Sequence, residues 1–356
     1  MANLGKIPSH IDAVLLIYQN KNKNLLAMEN KTMAPTMVPT MVPNNAHKDI
    51  PGNPSTAKSS ATKLNDRSNG KPLRLLTEEQ WNFWITNGYI VIKNAVPKEN
   101  AERLANFIWE FEEKDPNDSS TWYVPPRAEM QMKELTNSGM VELYNHQYQW
   151  DNRQMQKVYD AFADVWGTEK LWVTIDRANL NFPVRPDHEF KGFIHWDYDP
   201  ETKPQNVQGV LALVDTNDEN MGGFQCIPEL FCTYDTWKLT QPEDRHRFQP
   251  DTTAFKDQFV KVKMEAGDLL IFNSLLPHGI RPNLTKDKVR VAQYISMMPA
   301  EEDNEELKAW RINSWKNRIA PEGFAFPGDP RKWEITKHKT AELSDLGKRL
   351  LGLEKW

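Results

Sequence analysis

The sequence predicts an α+β domain: a double-stranded β-helix, the jelly-roll or cupin-like sandwich, with N- and C-terminal helices packed on it. Three observations carry this prediction. Helical spacing of apolar residues marks 76–88, 97–111 and 153–165. Seven short β-type runs follow between residues 171 and 297, separated by turn signals such as Asp215-Thr-Asn-Asp, Gly222-Gly223 and Gly267-Asp268. Helical spacing then returns at 304–319 and 340–351.

Composition narrows the function classes before any motif is read. The chain has 356 residues and a net charge of −5, enough for one large domain or two ordinary ones. That charge gives no electrostatic footprint for nucleic acid or an anionic membrane. The longest N-terminal apolar run, residues 13–18, is far shorter than the ~20 residues of a membrane span. Only Cys226 and Cys232 are present, so disulfides do not carry the fold, and a reducing, cytoplasmic setting is expected. The expected partners are a small-molecule substrate and at most a second copy of the chain, as monomer or homodimer.

Residues 1–70 differ from the rest. They hold one aromatic residue, Tyr18, six Pro, five Met and a repeated Thr-Met-Val-Pro at 36–39 and 40–43. Such a segment buries too little apolar surface to offset its ordering entropy. Residues 1–71 are therefore expected as a disordered leader and 72–356 as the folded domain. With eight Lys/Arg against four Asp/Glu in residues 1–70, the remainder carries 36 against 45, a net −9.

The elements follow in order. Thr77 and Gln80 have capping-box spacing, and Gly88 stands where a left-handed C-cap belongs, which predicts a helix over 76–88. Tyr89-Ile-Val-Ile92 reads as a buried strand. Pro97 opens a second helix, with Leu104, Phe107, Ile108 and Phe111 on one face. Residues 115–150 read as loops or cover, and 153–165 as a helix with Val158, Phe162 and Val165 as its stripe. The β-type runs are 171–175, 192–196, 207–214, 224–227, 259–264, 269–272 and 289–297.

The chemistry concentrates in the β region. In Gly192-Phe-Ile-His195-Trp196-Asp197, strand alternation puts His195 and Asp197 on one face. Gly267-Asp-Leu-Leu-Ile-Phe-Asn-Ser-Leu-Leu-Pro-His278 supplies a further imidazole at the end of a strong strand. Two histidines and one carboxylate on one face of a metal leave the opposite positions open, which suits non-haem Fe(II) and O₂. Twelve residues on, Arg290 offers a guanidinium able to grip a dicarboxylate in bidentate fashion.

With those residues in view, the chain resembles the phytanoyl-CoA dioxygenase family of Fe(II)/2-oxoglutarate-dependent oxygenases over roughly residues 74–300. The resemblance rests on L-T-E-E-Q-W-N-F-W-I-T-N-G-Y-I-V-I, H-W-D, D-T-N-D-E-N-M-G-G-F-Q-C-I-P and L-P-H-G-I-R-P-N followed by Arg290. It implies that His195, Asp197 and His278 ligate Fe(II), and that Arg290 holds the distal carboxylate of the co-substrate 2-oxoglutarate. It also implies hydroxylation or another oxidation of a small metabolite, because halogenating relatives replace the carboxylate. Two departures stand out. The usual P-G-S-H turn is replaced by Pro228-Glu-Leu-Phe231, at a segment that borders the substrate mouth. Ala292 stands where many relatives have Ser or Thr, so a co-substrate hydrogen bond must come from elsewhere, with Gln208, Asn179 and Asn181 as candidates.

Other conspicuous residues read more plainly. The stretch 142–150 is a packed aromatic cover or a pocket lining, Trp196 points away from the ligands, and Trp310, Trp315 and Trp333 anchor the C-terminal helices. Cys226 and Cys232 are core thiols. Arg177, Arg185 and Arg281 are candidates for an anionic substrate, Arg281 foremost because it lies three residues past His278. The competing readings are a non-oxygenase metal cupin, which has no need of Arg290, and a non-catalytic jelly-roll binding module.

Overall fold

The computed structural model describes residues 53–124, 138–185, 190–321 and 326–356. Helix α1 (Glu78–Asn87) opens on the expected capping box. The Thr77 hydroxyl accepts from the Gln80 N–H at 3.1 Å, and the Gln80 side chain accepts from the Thr77 N–H at 3.0 Å. Such a cap is worth about 1 kcal/mol. Gly88 ends the helix at φ 72°, and the chain runs directly into strand β1 (Tyr89–Ile92). Helix α2 (Lys98–Phe111) follows, with Pro97 at its N-cap; it buries Leu104, Ile108 and Phe111 and half-covers Phe107.

Beyond β2 (Met140–Val141), the helix expected over 153–165 is α4 (Gln156–Trp166), and a further helix, α3 (Gln147–Arg153), precedes it at the end of the stretch read as loops or cover. The break falls where Met155 turns extended to cap α4, with ψ 129°. Arg153 holds the junction, donating to the carbonyls of Tyr144 and Asp176 at 2.6 Å each.

The β region comprises β3 (Leu171–Val173), β4 (Ala178–Asn181), β5 (Val207–Ala212), β6 (Met221–Cys226), helix α5 (Pro228–Trp237), β7 (Val260–Lys261), β8 (Leu269–Asn273), β9 (His278–Asn283), β10 (Arg290–Tyr294) and β11 (Met297–Pro299). Helices α6 (Glu305–Asn317), α7 (Trp333–Lys337) and α8 (Asp345–Leu351) close the domain. One antiparallel sheet runs β1-β8-β5-β10-β4-β2, a second runs β7-β6-β9, and β11 pairs with β3. This is the expected jelly-roll sandwich.

Strand β8 and the Val210–Ala212 half of β5 read as continuous apolar runs because both faces of their sheet are covered. Val210, Ala212, Leu270 and Phe272 meet Phe224 and Cys226 of the second sheet in an inner core. Leu211, Leu269 and Ile271 join the larger core with Ile108 and Phe162 of the helices. Each Val, Leu, Ile or Phe side chain among them contributes roughly 1.5–3 kcal/mol on burial.

Three expectations need correction. The run 192–196 forms no strand; it contributes one isolated bridge, His195 to His278, because Gly192 at φ 79° breaks the extended backbone. Strands β4 and β9 depart from expectation because Asn, Arg, Pro and His within them mask the alternation, and β2 because two residues are too few to show one. Residues 53–71, assigned by composition to the leader, lie against the domain. Arg311 donates to the Ser55 carbonyl, the Ser55 hydroxyl accepts from the Ile175 N–H at 2.8 Å, and Leu64 joins the core. Backbone contacts of this kind leave no trace in composition. The rest of the expected leader, 1–52, falls outside the described residues. No described helix is long and apolar enough to cross a membrane.

Candidate metal centre

The bridge between His195 and His278 does more than one ladder rung suggests. The His195 N–H donates to the His278 carbonyl at 2.8 Å, and the His278 N–H returns a bond at 3.0 Å. The pairing sets the two imidazoles side by side, ring centroids 4.7 Å apart. Gly279 permits this approach, because a Cβ there would lie 1.8 Å from the Phe193 carbonyl oxygen. Asp197, two residues past His195, brings its carboxylate to both rings: Oδ1 is 3.0 Å from His195 Nε2 and Oδ2 is 3.4 Å from His278 Nε2. One donor atom from each of the three residues lies within 4.8 Å of the others.

The chemistry of this donor set fits a divalent metal. His278 Nδ1 lies 2.9 Å from the Leu276 carbonyl, which can only accept, so the proton is assigned to Nδ1. Nε2 then turns its lone pair toward a carboxylate oxygen, an arrangement of facing acceptors that a cation between them relieves. An imidazole oriented through its other nitrogen is the usual state of a metal-binding histidine. The Gln208 amide donates to Asp197 Oδ2, fixing the carboxylate's second oxygen. Phe224 stacks on His278 with centroids 5.5 Å apart and Phe272 lies 4.5 Å from it, so apolar rings screen His278 from water, while Phe193 flanks His195 at 4.9 Å on the more open side of the cluster. Trp196 points the other way, as expected, into a cluster with Tyr234 and Trp237.

Arg290 opens β10 and is buried, with Nη1 3.3 Å from the Asn179 side-chain oxygen. Asn181 stands opposite it in the β4 register, its buried Oδ1 without a hydrogen-bond partner. Of the residues proposed for the missing co-substrate bond, Asn179 and Asn181 thus gather at Arg290, whereas Gln208 reaches Asp197 instead. Gly223 lies beside them at φ 100°; a Cβ on it would come within 3.2 Å of Arg281 Nη2 and 3.9 Å of Arg290 Cδ.

The remaining candidates separate cleanly. Arg177 is paired with the buried Glu142 at 3.0 Å and lies over the Phe326 ring, so it belongs to the helical cover. The stretch 142–150 belongs there too: Tyr144 and Trp150 are buried, and the Tyr144 hydroxyl donates to Glu142. Arg185 is exposed. Trp310, Trp315 and Trp333 pack at the edge of the larger core. Cys226 is a buried thiol, but Cys232 is exposed on α5, contrary to the expectation for a core residue. The Leu276 carbonyl that orients His278 had no sequence signal, since any residue supplies a carbonyl.

A sequence profile of the phytanoyl-CoA dioxygenase (PhyH) family matches residues 84–292. Ava biosynthesis cluster protein O of Aspergillus versicolor is 28% identical over 240 residues, 60% of this chain and 74% of that protein. The crystal structure of a hypothetical protein from Escherichia coli gives a TM-score of 0.57 at 19% identity, covering 80% of this chain and 87% of that one. GlcNAc Inducible Gene 2 of Candida albicans gives 0.56 at 14% identity, covering 79% and 77%. These two structures share the fold.

Proposed function

The chain belongs to the phytanoyl-CoA dioxygenase family of Fe(II)/2-oxoglutarate-dependent oxygenases, and from that premise we propose that His195, Asp197 and His278 hold its iron and Arg290 its co-substrate. The observation that carries the assignment is the convergence of two imidazole nitrogens and one carboxylate within 4.8 Å. Bound iron, with 2-oxoglutarate and O₂, supplies the oxidation of substrate, the co-substrate leaving as succinate and CO₂.

The chain's own residues do the rest. Leu276 holds the proton on the far side of the His278 ring, leaving Nε2 free to ligate. Gln208 restrains Asp197 through Oδ2, so the carboxylate presents Oδ1 in one orientation. Phe224 and Phe272 keep the His278 side dry, which strengthens every charge interaction inside. Arg290 offers a buried guanidinium to the distal carboxylate, where two parallel N–H donors give both grip and direction.

We place the substrate among small specialised metabolites. Two observations support this. The Aspergillus relative carries the name of a biosynthesis cluster. Helix α5 starts at Pro228, where family members usually continue into a P-G-S-H turn at the substrate mouth. Two free cysteines support a cytoplasmic enzyme.

The test is an anaerobic titration of the metal-free full chain with Fe(II) and then 2-oxoglutarate. A visible metal-to-ligand charge-transfer band is expected for wild type and absent for His278→Ala with an unchanged melting temperature. Folded wild type giving no band sinks the reading. Screening metabolites for stimulated succinate release then identifies the substrate.

A further inference from the structure

Arg281 is a buried cation with too few partners. Its Nη1 donates to the Glu219 carbonyl at 2.8 Å, while Nε and Nη2 are buried and have no acceptor. The residue is 4% exposed. A guanidinium removed from water and left with open donors is costly, and native proteins rarely tolerate it without a ligand. Arg290 lies close by. Both side chains crowd the space a Cβ at Gly223 would take, with Arg281 Nη2 at 3.2 Å and Arg290 Nε at 4.0 Å from that point. Burial and then the neighbouring Arg290 charge, opposed by Glu219 and Asp218, lower the proton affinity of Arg281. Two cations this near each other call for an anion between them.

The neighbouring residue narrows which anion. Alternation along β9 would turn Arg281, three residues past His278, to the opposite face. The ladder is interrupted opposite it, where Gly222 and Gly223 both take positive φ, and the Arg281 guanidinium comes beside Arg290, the residue assigned to the distal carboxylate of 2-oxoglutarate. The two glycines also leave this stretch of β6 without side chains, and Asn181 Oδ1 lies against Gly222.

We propose that Arg281 is a second co-substrate residue, closing with Arg290 on the distal carboxylate of 2-oxoglutarate from the neighbouring sheet. The inference rests on the iron and co-substrate reading above. A carboxylate has four acceptor sites on two oxygens, so it accommodates the open donors of Arg281 together with those of Arg290. Arg281 thereby sets specificity for a diacid over a 2-oxo monoacid.

The test measures binding, not turnover. Full-length wild type, Arg281→Met and Arg281→Lys are loaded anaerobically with Fe(II), and the charge-transfer band is titrated with 2-oxoglutarate and with 2-oxopentanoate, which lacks the distal carboxylate. Arg281→Met is expected to weaken 2-oxoglutarate by about tenfold to a hundredfold, from the loss of charge-assisted hydrogen bonds, and to leave 2-oxopentanoate nearly unchanged. Arg281→Lys should recover part of the loss. Equal weakening of both oxoacids means that Arg281 only supports the fold, and overturns the proposal. Unaltered 2-oxoglutarate binding with a raised substrate KM assigns Arg281 to the substrate, and overturns it too. If wild type itself forms no band, the iron reading fails first, so the two failures are distinguishable.

Discussion

In the C-terminal helical clamp, Arg311 donates to four backbone carbonyls: Leu351 through Nε at 3.0 Å, Ser55 through Nη1, and Val173 and Leu350 through Nη2 at 2.8 and 2.9 Å. At the junction of the two sheets, Arg281 donates to one carbonyl and leaves two nitrogens open. Both side chains are buried. A fully satisfied buried charge is an architectural member, tying segments far apart in the chain. Arg153, Arg177 and Arg331 each leave one buried nitrogen open, whereas Arg281 leaves two and meets a second guanidinium, Arg290, which sets it apart as a receptor.

The sharpest way to break that contrast is Arg311→Ala. It strips four buried carbonyls of their donor at roughly 1–3 kcal/mol each, for a total on the order of 4 kcal/mol or more. That is a large share of a typical domain's stability. A urea midpoint far below wild type is expected, with Fe(II) affinity per folded molecule unchanged. A midpoint close to wild type would remove Arg311 from the architectural class.

Gln208→Leu probes the opposite case, a residue that touches a proposed ligand but not the scaffold. It removes the amide that restrains Asp197. Fe(II) affinity is expected to fall about tenfold to a hundredfold, as for other groups that orient metal ligands, while the melting temperature stays near wild type. Undiminished Fe(II) affinity would show that Asp197 needs no such restraint.

The smallest expected effect lies between the two classes. Glu112 ends α2 fully buried, with neither carboxylate oxygen hydrogen-bonded and Arg331 Nη2 3.7 Å away. Burial pushes its pKa up to about 7, against the pull of Arg331 and with help from Asp329. The folded state therefore keeps a proton that the unfolded chain releases near 4.5. Stability from this group is complete below that pH and is lost as pH rises toward about 7. In Glu112→Gln the fall of melting temperature between about pH 5 and 7 should flatten. An identical slope would mean that other groups govern it.

Much of the fold was legible because it rests on local signals. The capping box at Thr77 and Gln80 and the apolar runs of β5 and β8 need only near neighbours to be read. The three proposed ligands were legible for a different reason: the metal's demand for imidazole and carboxylate leaves few residue types to choose from. Arg281 was visible as a candidate, but its open donors were not, since partner counts depend on which elements meet. The packing of Ser55 against Ile175 and Arg311 was hidden for the same cause. Strand β9 escaped because its function-bearing His278 and Arg281 displace the apolar residues that would mark it.

The paired hydrogen bonds between the main chains of His195 and His278 have a consequence for metal choice. The spacing of the two imidazoles is set by backbone geometry, already assembled before any ion arrives. Such a triangle offers the same three donors to each first-row divalent cation and adjusts little to any one of them. Discrimination then falls to donor softness and to cellular supply, which places nickel or cobalt substitution within reach of this scaffold without repacking.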